Sequence, residues 1–216
     1  MSLIFVEGNI GTGKTTFIEF LERNLNPEKY NIIYEPVDEW QKLKDSQGKN
    51  ILEHFYEDQE KWAFAFQMNS FISRVKHIQD ALKANPEKIN IIERSVFTDK
   101  YCFAKNCYES GKISDIQYQI YNNWHKWLID SFEIEPSGFV YLKATPDVCS
   151  ERIAKRSRNG ESSIPIEYLT KLSDSHDAWL NNEKNVLNVE SEENMYDDPE
   201  KTQVLLKNFD EFIQKP

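Results

Sequence analysis

Residues able to hold phosphate come first along this chain. Gly8-Asn9-Ile10-Gly11-Thr12-Gly13-Lys14-Thr15 fits the pattern G-x-x-x-x-G-K-[ST]. Glycines let a backbone wrap closely, so the N–H groups of Gly11 to Thr15 can point at phosphate oxygens. A helix starting behind them adds partial positive charge. Lys14 is then placed to reach β and γ phosphates, and Thr15 offers its hydroxyl oxygen to Mg²⁺. The pattern is strong only between a strand and a helix. Apolar Ser2–Val6 before it and the helical spacing of Phe17, Phe20 and Leu21 after it meet that condition.

Acids and arginines elsewhere could complete a phosphoryl transfer. Glu35 precedes Pro36, which favours extended backbone before it, so its carboxylate is expected at a strand end facing a cleft. There it could accept a proton from an attacking hydroxyl. Arg94 could hold that oxygen and Glu35 in line, and Glu93 could reach Mg²⁺ directly or through water. Spacing alone also allows Glu35 as a turn or capping acid, and Glu93-Arg94 as a surface pair. Arg152 and Arg156 share one helical face, and Arg158 follows in a polar segment. The three could close over a transferring phosphoryl group as its charge spreads, or form a solvated charged face. His54, His77, His125 and His176 have no ligand spacing and are read as structural or surface residues.

The elements that must position these groups alternate. Strands are expected at Ser2–Val6, Tyr30–Tyr34, Ile89–Ile92, Phe139–Leu142 and Val186–Val189. Helices are expected over Thr15–Leu25, Ile51–Lys83 with a break near Asp58, Thr98–Ser110, Ser114–Phe132, Pro146–Arg156 behind Thr145 as N-cap, Pro165–Leu180 and Glu200–Ile213. The alternation predicts one α/β domain over residues 1–216, a five-stranded, mainly parallel sheet flanked by helices. Such sheets bind ligands beyond the carboxyl ends of their strands, where Gly8, Glu35 and Glu93-Arg94 fall. A net charge of -10 disfavours a nucleic-acid face. No apolar run approaches the ~18–20 residues that span a bilayer. Three cysteines without metal spacing point to a reduced intracellular, cytoplasmic protein.

Taken together these motifs resemble the deoxynucleoside kinase family, whose fold is the P-loop kinase fold with an Arg-rich lid. The matching segments, in the family's order, are Glu7–Thr16, Glu35-Pro36-Val37-Asp38-Glu39-Trp40, Trp62-Ala63-Phe64-Ala65-Phe66-Gln67, Glu93-Arg94-Ser95, Asp99-Lys100-Tyr101, Leu142–Pro146, the arginines and Ile164–Leu169. The resemblance implies transfer of the ATP γ-phosphoryl to the 5′-hydroxyl of a deoxyribonucleoside. Glu35 would be the general base with Arg94 its partner. Thr15 and Glu93 would serve Mg²⁺, Gly8 through Thr16 would cradle the phosphates, and Arg152, Arg156 and Arg158 would form the lid. Tyr56 and Glu161 match the family's 3′-hydroxyl ligands. Gln67 would read the Watson–Crick edge of the base through its amide, with Trp40, Phe66, Phe103 and Ile10 lining the pocket. A homodimer built on the long helices and feedback inhibition by an end-product triphosphate are implied as well.

Base choice turns on Arg74, two helical turns from Gln67 and hence on its face, and on Asp99. An Arg–Asp pair resembles deoxycytidine and deoxypurine kinases, whereas thymidine-preferring members keep small or apolar residues there. Ser70, one turn after Gln67, could admit a purine. The chain departs from the family in carrying Gly160 before Glu161 and Phe55 where methionine is common. The adenine loop is expected within Ser191–Tyr196. The rival readings are a thymidylate-type monophosphate kinase and a non-catalytic nucleotide-binding relative.

Overall fold

The computed structural model describes residues 2–156, 164–193 and 196–214. Five strands form one sheet: β1 (Leu3–Glu7), β2 (Tyr30–Ile33), β3 (Ile89–Glu93), β4 (Gly138–Lys143) and β5 (Val186–Glu190). All pair in parallel, in the order β2-β3-β1-β4-β5. After β3 the chain crosses to the other side of β1, so a crevice opens at the carboxyl end of the central strand. The loop that follows β1 fills this crevice.

Strand β1 is buried along its whole length, and its alternating side chains feed two cores. Leu3 and Phe5 join Ile33, Ile92 and Phe139 beneath the helices α4 (Gln59–Ala84), α7 (Asp115–Phe132) and α9 (Ile166–Leu180). Ile4 and Val6 face the opposite way, with Ile91, Val140 and Leu142, beneath α1 (Lys14–Asn24) and α10 (Pro199–Ile213). Fully burying such side chains contributes ~1.5–3 kcal/mol each. The remaining helices are α2 (Val37–Lys42), α3 (Ile51–Glu57), α5 (Val96–Thr98), α6 (Lys105–Glu109) and α8 (Pro146–Arg156).

The expected break near Asp58 is present. Asp58 leaves helical backbone and its side chain accepts from Lys61 N–H, which ends α3 and caps α4. Two local features differ from the sequence reading. Helix α2 has six residues, too few for apolar periodicity to declare it. The helix expected at Thr98 begins instead at Val96, because Ser95 accepts from the N–H groups of Phe97 and Thr98. It then widens into a π-helical segment, Asp99–Ala104, before α6. Single π turns of this kind occur at functional sites, and this one carries Asp99 and Phe103 into the cleft.

All three cysteines are unpaired and buried. Among the described residues no helix is long and apolar enough to cross a membrane. His125 and His176 are buried and structural. His125 Nε2 bonds the Val96 carbonyl at 3.0 Å beneath Phe71, and His176 Nδ1 bonds the Leu172 carbonyl at 2.6 Å. Burial pushes their pKa values down to about 4 and about 3.

Both imidazoles are therefore neutral when folded but titrate near 6.5 when unfolded. Below pH ~6.5 the unfolded chain binds these protons first, so stability should fall by about 1.4 kcal/mol per pH unit for each histidine until its folded pKa is reached. Thermal unfolding between pH 7.5 and 4.5 should show this loss. His125→Gln should flatten it relative to the parent, and an unchanged slope would remove His125 as a source.

Candidate active site

A cavity of about 770 Å³ opens at the carboxyl edge of the sheet. The phosphate-loop motif closes one end. Ile10, Gly11, Gly13, Lys14, Thr15 and Thr16 line the cavity, whereas Asn9 and Thr12 turn toward a separate cavity of about 210 Å³. Their side chains brace the loop. Asn9 Nδ2 donates to the Leu169 carbonyl at 2.8 Å, Asn9 Oδ1 accepts from Ile10 N–H, and Thr12 Oγ1 donates to the Asn9 carbonyl. Gly8 does not line the cavity. A Cβ there would lie 2.6 Å from the Leu142 carbonyl oxygen, so this glycine lets β1 and β4 approach.

Lys14 Nζ curls back onto the loop, donating to the carbonyls of Gly8 at 3.1 Å and Asn9 at 2.6 Å. Burial, with Arg94 nearby, lowers its pKa to about 7 despite Glu35, Glu93 and Glu7. The ammonium therefore lies where an anion would restore its charge.

A continuous chain of contacts runs from the loop into the apolar half of the cavity. Thr15 Oγ1 donates to Glu93 Oε1 at 2.6 Å. Glu93 Oε2 accepts from Glu35 N–H at 3.4 Å. Glu35 Oε1 meets Arg94 Nε at 3.3 Å and accepts from Arg74 Nη2 at 2.9 Å. Arg74 in turn donates to Asp99, Nε to Oδ2 at 2.9 Å and Nη2 to Oδ1 at 3.3 Å. None of these is a surface pair: Glu93, Arg94, Arg74 and Asp99 are all at most 4% exposed.

Burial opposes the charged form of Glu35, but Arg94, Arg74 and Lys14 outweigh it and hold the carboxyl at about 2. Burial likewise opposes the Arg74 charge, and Asp99 and Glu35 more than restore it. One guanidinium nitrogen, Nη1, of both Arg74 and Arg94 is buried without a partner among the described residues. Two unspent donors on the cavity wall suit an oxygen-rich ligand.

The far end is aromatic. Helix α4 presents Phe66, Gln67, Ser70 and Arg74 at helical spacing. Trp40 of α2 packs edge-on to Phe66 with centroids 5.7 Å apart, and Phe55 of α3 stacks on it at 4.6 Å. Tyr56 completes the α3 contribution. Phe103 lies under the Arg94 guanidinium at 4.9 Å. Gln67 is 1% exposed, and its amide nitrogen lies 3.9 Å from Cys107 Sγ.

Over the loop, Arg152 donates to the carbonyls of Thr12 at 3.3 Å and Glu192 at 3.2 Å, and Arg156 also lines the cavity. Arg158 and Glu161 lie outside the described residues. Ser191, Glu193 and Tyr196 wall the loop side, within the segment where the sequence places an adenine loop, and Ser191 Oγ donates to the Thr12 carbonyl at 2.7 Å. Sequence reasoning gave no role to Glu7, a buried acid at the end of β1. Its signal was a charge closing an otherwise apolar strand.

A five-stranded parallel sheet, a glycine loop opening a helix, and acids and arginines gathered at its rim define a P-loop kinase. A sequence model of the deoxynucleoside kinase family matches residues 4–214, and the chain belongs to that family. It is 38% identical to the probable deoxycytidine kinase of fowlpox virus (strain NVSL), a match covering 98% of this chain and 88% of that one. It is 37% identical to the deoxycytidine kinase of Homo sapiens, over 82% of this chain and 74% of the relative. It is 32% identical to the mitochondrial deoxyguanosine kinase of Xenopus laevis, over 88% and 77%.

Proposed function

We propose that this enzyme transfers the γ-phosphoryl group of ATP to the 5′-hydroxyl of a deoxyribonucleoside, with deoxycytidine and/or a purine deoxynucleoside preferred over thymidine. The observation that carries this reading is the unbroken sequence of contacts Thr15–Glu93–Glu35–Arg74–Asp99. It joins the phosphate loop to an Arg–Asp pair with one carboxylate midway. An acceptor whose base meets Arg74, Asp99 and Gln67 would present its 5′-hydroxyl near Glu35. Its sugar would lie by Tyr56, its ring between Trp40, Phe66, Phe103 and Ile10, and Glu161, outside the described residues, is assigned to the 3′-hydroxyl with Tyr56.

Glu35 takes the hydroxyl proton, and Arg94 holds carboxylate and acceptor in line. A carboxyl held at about 2 is ionised throughout the physiological range. Loose phosphoryl transfer asks more of position than of basicity. The backbone from Ile10 to Thr16 and Lys14 hold the donor phosphates. Arg152 and Arg156 meet the charge that spreads over the moving group, a role also assigned to Arg158, which lies outside the described residues. Thr15 and Glu93, two oxygen donors 2.6 Å apart on the cavity wall, suit Mg²⁺, which takes few protein ligands and completes its shell with water and phosphate. Held there by Thr15 and Glu93, Mg²⁺ would supply charge neutralisation for the phosphates.

Initial rates with ATP on the four natural deoxynucleosides and on their 5′-monophosphates test this. Turnover of nucleosides and none of monophosphates is expected. The reverse would favour the thymidylate-type reading, and no turnover of either the non-catalytic one. Replacing both Arg74 and Asp99 by apolar residues should raise kcat/KM for thymidine relative to deoxycytidine by about tenfold or more, the scale of one lost polar discrimination. No relative gain would end the assignment of this pair to base choice.

The same reading includes a homodimer in a reducing, cytoplasmic setting. Ile116, Ile120, Trp124 and Trp127 fall on one stripe of α7 and are exposed, Trp127 at 55%, with exposed Ile72 on adjacent α4. Large apolar patches of this kind mark association surfaces. Sedimentation equilibrium should give twice the chain mass, and Trp124→Glu with Trp127→Glu should give the monomer. A monomeric parent would overturn the dimer.

A further inference from the structure

We propose that Glu7, a residue with no contact to the cavity, is a positioning residue that holds Arg94 on Glu35. The inference rests on the reading of Arg94 given above. Arg94 follows β3 with φ of 63°, left-handed backbone that a non-glycine residue adopts only when its surroundings impose it. Two adjacent N–H groups are tied to the end of β1. Arg94 N–H donates to the Val6 carbonyl at 2.9 Å, and Ser95 N–H donates to Glu7 Oε1 at 2.9 Å.

Thr98 Oγ1 then donates to the other Glu7 oxygen. One carboxylate thus clamps both the residue after Arg94 and the end of α5. Ser95 adds its own cap to the N–H groups of Phe97 and Thr98. Glu7 is fully buried, and its environment contains the Arg94 and Arg74 charges.

A buried carboxylate is costly to keep. An apolar side chain in β1 with a separate helix cap would hold the sheet equally well. What the acid adds is a fixed turn conformation, because one side chain ties Ser95 N–H and the Thr98 hydroxyl to the end of β1. Among the described residues Arg94 otherwise has one carboxylate partner, Glu35, a ring beneath it and one nitrogen unpaired. Released from the clamp, the turn could relax toward ordinary backbone and draw the guanidinium off the reaction line.

Steady-state kinetics with ATP and deoxycytidine on Glu7→Gln, Thr98→Val, Arg94→Lys and the Glu7→Gln/Arg94→Lys double variant test this. Glu7→Gln keeps the shape and one acceptor but turns the second oxygen into an N–H donor, so the amide cannot accept from both Ser95 N–H and the Thr98 hydroxyl. Its kcat should fall about tenfold or more, with both KM values within about twofold, because misplacement by a fraction of an ångström costs rate before binding. Thr98→Val, which loosens one arm, should fall about threefold on the same grounds. In the Arg94→Lys background, Glu7→Gln should cost less than about twofold more, since both changes act through one guanidinium.

A Glu7→Gln enzyme with kcat within about twofold of the parent, or losses that multiply with Arg94→Lys, would overturn the inference. If Glu7→Gln does not fold, Thr98→Val decides, and unchanged kcat there rejects it. Arg94→Lys at parental kcat would instead retire the role of Arg94 itself.

Discussion

Glu35→Gln should lower kcat by about 10²–10⁴-fold, the usual contribution of a general base, while the enzyme stays folded and binds both substrates. Glutamine keeps the shape and one oxygen, so the Arg74 and Arg94 contacts at 2.9 and 3.3 Å retain an acceptor. Basicity is lost. The buried pair of guanidiniums also loses one of the acids that offset it, so some stability should go as well.

The comparison that isolates chemistry is Glu35→Gln against Glu35→Asp under single turnover. Aspartate keeps the charge and shortens the arm by one methylene. If position dominates, both variants are slow and Asp recovers little. If basicity dominates, Asp recovers most of the rate. Near-parental turnover by the glutamine variant would remove Glu35 from proton transfer and leave it as an anchor for two arginines.

The partition of the fold into five strands was readable because each strand is a short apolar run stopped by glycine, proline or a charge. Both faces of the sheet are covered, so no alternation was needed to find them. The cleft residues were readable for the same reason. Glu35 and Glu93-Arg94 interrupt apolar runs at strand ends, which in a parallel sheet is the ligand edge.

Three features were not legible. The short α2 carries no periodicity. The π-helical widening at Asp99, which meets Arg74 from 25 positions earlier, leaves no mark in residue spacing. The left-handed backbone of Arg94 is invisible because arginine gives no glycine-like signal, and it is imposed from β1, 88 positions away. The sequence also grouped Gly8 with the phosphate-binding glycines, yet an added Cβ there meets the β4 backbone first.

That last distinction predicts the second large effect. Gly8→Ala should destabilise the protein by about 2–6 kcal/mol, combining about 1–3 kcal/mol of backbone strain with a similar cost of overpacking. Gly8 has φ of 145°, and an added Cβ would stand 2.6 Å from the Leu142 oxygen and 2.9 Å from Thr12 Oγ1. The first neighbour is backbone of the central sheet and cannot turn away.

Strand β1 would have to part from β4 where the phosphate loop begins, carrying with it the carbonyls that hold Lys14. Nucleotide affinity should therefore fall together with stability. Gly111→Ala is the matched control. It too has positive φ, 73°, but nothing lies within 4 Å of its added Cβ, so strain acts alone and the cost should be about 1 kcal/mol. For a chain of this length, about 2–4 °C of Tm corresponds to each kcal/mol. Gly8→Ala should thus melt at least about 4 °C below the parent and clearly below Gly111→Ala. Equal Tm losses in the two variants would mean that β1 and β4 can separate freely at this point, and that the glycine is needed for its backbone angle alone.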